Sequence, residues 1–115
     1  MSVVTIWHNP RCSKSRQTLA LLIDNGVDPV IREYLTDVPS VTELKKALAL
    51  LGKSASELLR KGEAEFKELG LKDADDDAIL QAMNDHPRLI ERPIVFANGK
   101  AAVGRPPESV LEILG

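Results

Sequence analysis

Residues 7–19 read "WHNPRCSKSRQTL" and hold the only cysteine of the chain, Cys12, with a histidine and a proline before it and three basic residues around it. Just upstream, "VVTIW" at 3–7 is β-branched and aromatic, the composition of a short buried strand, and "HNP" then supplies a turn. Downstream, Leu19, Leu22 and Ile23 recur at helical spacing within residues 13–25, and "NG" at 25–26 gives a stop. A strand, a turn and a helix therefore meet at the thiol.

Working outward, "PVIREYL" at 29–35 alternates as a second strand, and its distance from the first suits a right-handed parallel crossover. "SVTELKKALALLG" at 40–52 carries a capping box, Ser40 with Glu43, and then Leu44, Ala47, Leu48 and Leu51 on one helical face. "SASELLRKG" at 54–62 repeats the box with Ser54 and Glu57, and two more helices are predicted over 63–70 and 73–86. "PIVFANGKAAVG" at 93–104 predicts a β-hairpin, because Asn-Gly tolerates positive φ at the turn. Pro106 and Pro107 open a closing helix that runs to Gly115. The order βαβ, helical insertion over about 40–86, ββα predicts an α/β, thioredoxin-like domain over residues 1–115 with a four-stranded mixed sheet. Pro93 opens the first hairpin strand, where such a fold carries a cis proline facing the first turn.

With 115 residues the chain suffices for one domain that buries roughly two-thirds of its unfolded surface. A net charge of −2 and the lack of low-complexity sequence exclude a disordered tail, a collagen-like repeat and a polybasic nucleic-acid arm, so any basic site is local. The opening "SVVTIW" is too short for a signal segment, and the longest apolar stretch, "LALLI", falls far short of a bilayer span. A cytoplasmic protein with no membrane or nucleic-acid partner is expected. One cysteine permits neither an internal disulfide, nor CxxC cycling, nor a multi-cysteine zinc site.

A thiol reacts as its thiolate, so a nucleophilic cysteine needs surroundings that favour negative charge. Cys12 falls where the turn meets the helix, with free N–H groups and the positive end of the helix dipole directed at the sulfur. Arg11, Lys14 and Arg16 add positive potential, His8 lies across the turn, and the same pocket suits an oxyanion. The plainer alternative makes Cys12 a capping or core residue among solvated cations. His8 is either a packing residue or a titrating partner of the thiolate. Ser15, at the second cysteine position of a CxxC, either donates to sulfur or is a first-turn helix residue, and Arg16 suits a structural or electrostatic role.

Counting removes other motifs. A C-x5-R phosphatase loop requires arginine where Thr18 stands. Asp73, Asp75 and Asp77 imitate an EF-hand loop, but Ala78 replaces its glycine and Asn84 its bidentate glutamate, which leaves acidic residues near a helix start. His86 has no second metal ligand at a useful spacing. Arg92 and Arg105 each precede a proline, which confines their backbone to extended conformations; each is either a surface arginine in a turn, the commoner case, or an anion clamp. Arg60 falls near the end of a short helix, where a cation answers the dipole.

With "HNPRCSKSRQTL", a helical insertion, "LLRKGE" and "LIERPIVFANGKAAVGRPPESV", the chain resembles the glutaredoxin-coupled arsenate reductase family along nearly its whole length. The resemblance implies a thioredoxin-like fold, Cys12 as nucleophile, His8 favouring its thiolate, and Arg60, Arg92 and Arg105 around the oxyanion, with Ser15, Arg16 and Pro93 in support. It implies arsenate as substrate, glutathione as co-substrate, glutaredoxin as partner, and no tightly bound cofactor. Two other functions fit parts of the pattern: a regulator resembling the Spx family, which shares this fold and binds RNA polymerase, and a glutathione-dependent thiol transferase. The single thiol in "CSKS" counts against a disulfide switch of the first kind, and the second needs none of the three arginines.

Overall fold

The computed structural model describes residues 3–114, so Gly115, where the closing helix was expected to end, and Met1 and Ser2, the second of which opens "SVVTIW", lie outside the described residues. Four strands form one mixed sheet in the order β2-β1-β3-β4: β1 is Thr5–Trp7, β2 Val30–Arg32, β3 Ile94–Ala97 and β4 Lys100–Val103. β1 runs parallel to β2, with Ile6 opposite Ile31, and antiparallel to β3, with Ile6 opposite Val95. The central pair is the buried one. Ile6 and Val95 are inaccessible and join Leu22, Ala97, Val110 and Ile113 in one apolar cluster.

The hairpin turns through Asn98 at φ 54° and Gly99 at φ 72°, the two positive values that a two-residue I′ turn demands. The Arg92–Pro93 bond is cis, as expected of the strand that follows it, and the Arg105–Pro106 bond is cis as well.

Three local expectations are corrected. β2 ends at Arg32 instead of reaching residue 35, because Glu33 O accepts from the N–H groups of Thr36 and Asp37 at 3.1 and 2.9 Å and turns the chain. As an edge strand β2 also leaves Val30 and Ile31 about half exposed. The first helix, α1, Ser13–Asp24, buries Ser15, Thr18 and Leu22, while Ile23 is exposed. Leu22 lies in the core cluster with Leu19 packed against it, as the apolar spacing predicts, while Ser15 and Thr18 complete the inward face and Ile23 falls outside it. The closing segment, Pro107–Ile113, is a 3-10 helix, and Asn98 Nδ2 donates to Ile113 O at 2.8 Å to satisfy a carbonyl at its end.

Contacts divide the chain into two compact units: the sheet, α1 and the closing segment, up to Asp37 and from Arg92 onward, and a helical unit over Val38–Glu91. In the helical unit, α2 (Val41–Leu51) and α3 (Ala55–Leu58) both start with complete capping boxes, Ser40 with Glu43 and Ser54 with Glu57. α4 is Ala64–Glu68 and α5 is Asp76–Asp85. Asp75 caps α5 by accepting from Ala78 N–H at 2.8 Å, and Asp76 and Asp77 fall in its first turn, where negative charge answers the helix dipole. Leu44, Leu58, Ile79, Met83, Leu89 and Ile90 are fully or almost fully buried in this unit.

Candidate active site

Cys12 is the N-cap of α1, with extended backbone at φ −94° and ψ 123°, and it is buried and free of any disulfide. Its own N–H donates to Asn9 O at 3.0 Å, and its carbonyl accepts the first helical bond from Arg16 N–H at 3.0 Å. The helix therefore offers no carbonyl to the N–H groups of Ser13, Lys14 and Ser15, whose dipoles add at the end where the thiol sits.

The turn is held by side chains on both sides of the cysteine. Asn9 Oδ1 accepts from Arg11 N–H, and Asn9 N–H donates to Ser15 Oγ, both at 3.0 Å. Ser15 Oγ also lies 2.6 Å from His8 Nδ1. Ser15 is thus a fully buried first-turn residue engaged with His8 and Asn9 instead of with sulfur. His8 is itself buried, and desolvation lowers its pKa from 6.5; the Arg16 charge lowers it further, while the Glu33 charge opposes both. With Nδ1 unprotonated the ring accepts this hydrogen bond from the Ser15 hydroxyl, and with Nδ1 protonated it donates to Ser15 Oγ. Arg16 reaches back over the turn, with Nη1 donating to Pro10 O at 3.3 Å on the exposed side.

Arg105 comes from the far end of the hairpin. Its Nε donates to Arg92 O at 2.8 Å, and its Nη2 lies 3.9 Å from Cys12 Sγ. One guanidinium is thereby fixed to the backbone beside buried Pro93 while its other arm faces the sulfur. A planar donor held in this way is suited to an anion carried on or next to the sulfur.

Arg60 belongs to the helical unit and sits outside any helix, which corrects its expected place at a helix end. α3 stops at Leu58, and Leu59 forms an antiparallel bridge with Ile90, flanked by Arg60 N–H to Leu89 O at 2.7 Å and Glu91 N–H to Leu58 O at 2.9 Å. Within that unit the Arg60 guanidinium contacts Glu63 at 2.7 Å and Glu91 at 3.7 Å. Cys12, His8, Ser15, Arg92, Pro93 and Arg105 all belong to the sheet unit. The roles of Asn9, Glu63 and Glu91 escaped sequence reading, since each depends on pairing across a turn or between distant segments. Among the described residues, no group of three or more His, Cys, Asp or Glu is arranged to hold a metal ion, and no helix is long and apolar enough to cross a membrane.

A mixed sheet in this order, with a thiol capping the first helix and a cis proline opening the third strand, defines a thioredoxin-like fold. Its likeness to solved structures is close: an arsenate reductase from Vibrio cholerae, 53% identical, superposes with a TM-score of 0.95 over 97% of this chain and 98% of that one. The chain belongs to the ArsC family, whose profile matches residues 7–113. Its relatives include an uncharacterized protein of Escherichia coli (strain K12), YfgD, 55% identical over 115 residues and covering 97% of both chains. An arsenate reductase of Neisseria meningitidis serogroup A (strain DSM 15465 / Z2491) is 49% identical over 117 residues, covering 99% of this chain and 100% of the relative.

Proposed function

We propose that the protein is an arsenate reductase that takes its electrons from glutathione and glutaredoxin. The observation that carries this reading is the 3.9 Å approach of Arg105 Nη2 to Cys12 Sγ at the start of α1, which sets an anion-binding fork beside a thiol. Support comes also from the arsenate reductase names borne by relatives that match nearly the whole chain.

Arsenate is held by Arg105, Arg92 and the first N–H groups of α1. The Cys12 thiolate forms a bond to arsenic, an As–O bond breaks, and the oxygen leaves as water with arsenic still pentavalent. Glutathione displaces a second oxygen in the same way. Glutaredoxin then attacks the glutathione sulfur: an S–S bond forms, the As–S bond to glutathione breaks, and its electron pair stays on arsenic, which becomes trivalent. Hydroxide displaces Cys12 and arsenite leaves. The chain has one cysteine, so the second sulfur must come from outside, and the reducing cytoplasm supplies it. No tightly bound cofactor takes part.

The test is NADPH oxidation by purified protein with arsenate, glutathione, glutaredoxin and glutathione reductase. Turnover that requires both glutathione and glutaredoxin is expected. Equal turnover with glutaredoxin left out would contradict the electron route, and no turnover with all components would contradict the reading itself.

A further inference from the structure

Gly104 separates the end of β4 from Arg105, and it is buried. A Cβ built there would stand 2.5 Å from Thr18 Oγ1, 2.8 Å from Pro93 Cγ and 3.1 Å from Thr18 Cγ2. Every other described glycine has open space at that position. The backbone of Gly104 lies outside the left-handed region, so conformation does not demand a glycine here; space does.

The three parts that meet at this point are those that build the site. Thr18 is fully buried on α1, the helix that Cys12 caps, and its hydroxyl donates to Lys14 O at 2.8 Å, which fixes its rotamer. Pro93 follows Arg92, and Gly104 N–H donates to Pro93 O at 2.9 Å, extending the β3–β4 ladder one step beyond the Ile94–Val103 pair. The next residue along the chain is Arg105. Its guanidinium position relative to the sulfur is therefore set by how closely the Gly104 backbone approaches α1.

We infer that Gly104 is a positioning residue: by letting β4 close onto Thr18 and Pro93 without a side chain between them, it holds the Arg105 guanidinium against the Cys12 sulfur, where anions are captured. The inference rests on the reading of Cys12 and Arg105 as an anion site, and it concerns that site whatever its physiological anion. A Cβ lifts the backbone away from α1 by several tenths of an ångström or more, because Thr18 and Pro93 are both packed and neither is the free end of a flexible chain.

The experiment compares Cys12 alkylation by anionic iodoacetate and neutral iodoacetamide in the full-length protein. Both reagents consume the same thiolate, so their rate ratio reports the positive potential beside sulfur, while a general loss of packing alters both rates together. Gly104→Ala is expected to lower the iodoacetate-to-iodoacetamide ratio about threefold, as Arg105→Gln does, through a weakened attraction. On an Arg105→Gln background, Gly104→Ala should lower it no further, since the two act through one group. The double variant Thr18→Ala/Gly104→Ala, with the Thr18 atoms removed and only Pro93 still crowding, should recover most of the ratio of Thr18→Ala alone. An unchanged ratio in folded Gly104→Ala, or an equal drop with Arg105 already replaced, would overturn the inference. Should Gly104→Ala fail to fold, the double variant decides: a ratio somewhat below that of Thr18→Ala is expected, and no difference between them would overturn it. Because no arsenate is present, failure of arsenate turnover leaves this result standing and refutes only the proposed reaction.

Discussion

Arg105 and Cys12, 93 positions apart in sequence, meet with Nη2 at 3.9 Å from Sγ, while Nε of the same guanidinium is held by Arg92 O at 2.8 Å. The two contacts need a planar group with donors on different nitrogens. A lysine supplies the charge without the fork. Arg105→Lys is accordingly expected to raise the KM for arsenate roughly tenfold or more, the scale of one lost charge-assisted hydrogen bond of about 1.5–3 kcal/mol. Steady-state kinetics on the variant check this, and an unchanged KM would show that charge alone suffices.

His8 makes stability depend on pH in a fixed direction. Burial, with Arg16, holds its folded pKa below the 6.5 of the unfolded chain, so between those values the unfolded state binds more protons. The contribution of neutral His8 is complete above about pH 6.5 and is lost progressively as pH falls from there through the folded pKa. Thermal melts from pH 7.5 down to 5 should show a falling Tm that flattens in His8→Gln. A variant whose Tm falls as steeply as wild type would assign that dependence to other groups.

Asn98 serves twice, at positive φ in the hairpin turn and as donor to Ile113 O at 2.8 Å. Asn98→Gly keeps the conformation and loses the bond, costing about 1 kcal/mol, whereas Asn98→Ala loses both and costs about 2 kcal/mol. Chemical denaturation of the pair should give this order. The reverse order would mean that the turn tolerates alanine and that the bond is weak.

Ser40 both accepts from Glu43 N–H at 3.1 Å and shares its own N–H with the Glu43 carboxylate at 3.1 Å. Ser40→Ala removes one half of that exchange and should lower stability by about 1 kcal/mol by urea denaturation. A loss under a few tenths would show that α2 is held by Leu44 and Ala47 alone.

What could be read from sequence was local. The Ser40 and Ser54 boxes, the Asn-Gly turn and the junction at Cys12 are patterns within a few residues, and each is found where expected. Where neighbours far along the chain decide, the pattern was silent. Ile23 faces solvent because α1 packs through Leu22 and through Ser15 and Thr18, small residues that admit His8 and Gly104. Arg60 left its helix because Leu59 pairs with Ile90, and its ion pair with Glu91 spans the same distance in sequence. For the site, the place of Cys12 at the start of α1 was visible in the turn and first helical residues around it, while the Arg105 approach depends on hairpin and helix closing on each other. The prolines after Arg92 and Arg105 marked both arginines without showing where they point.

The central claim is that Cys12 forms the bond to arsenic. Arsenite formed from arsenate, glutathione and glutaredoxin, measured by arsenic speciation with wild type and Cys12→Ser at equal concentration, tests it most directly. The account predicts arsenite from wild type and only the enzyme-free background from Cys12→Ser. Arsenite from Cys12→Ser at the wild-type rate would contradict it.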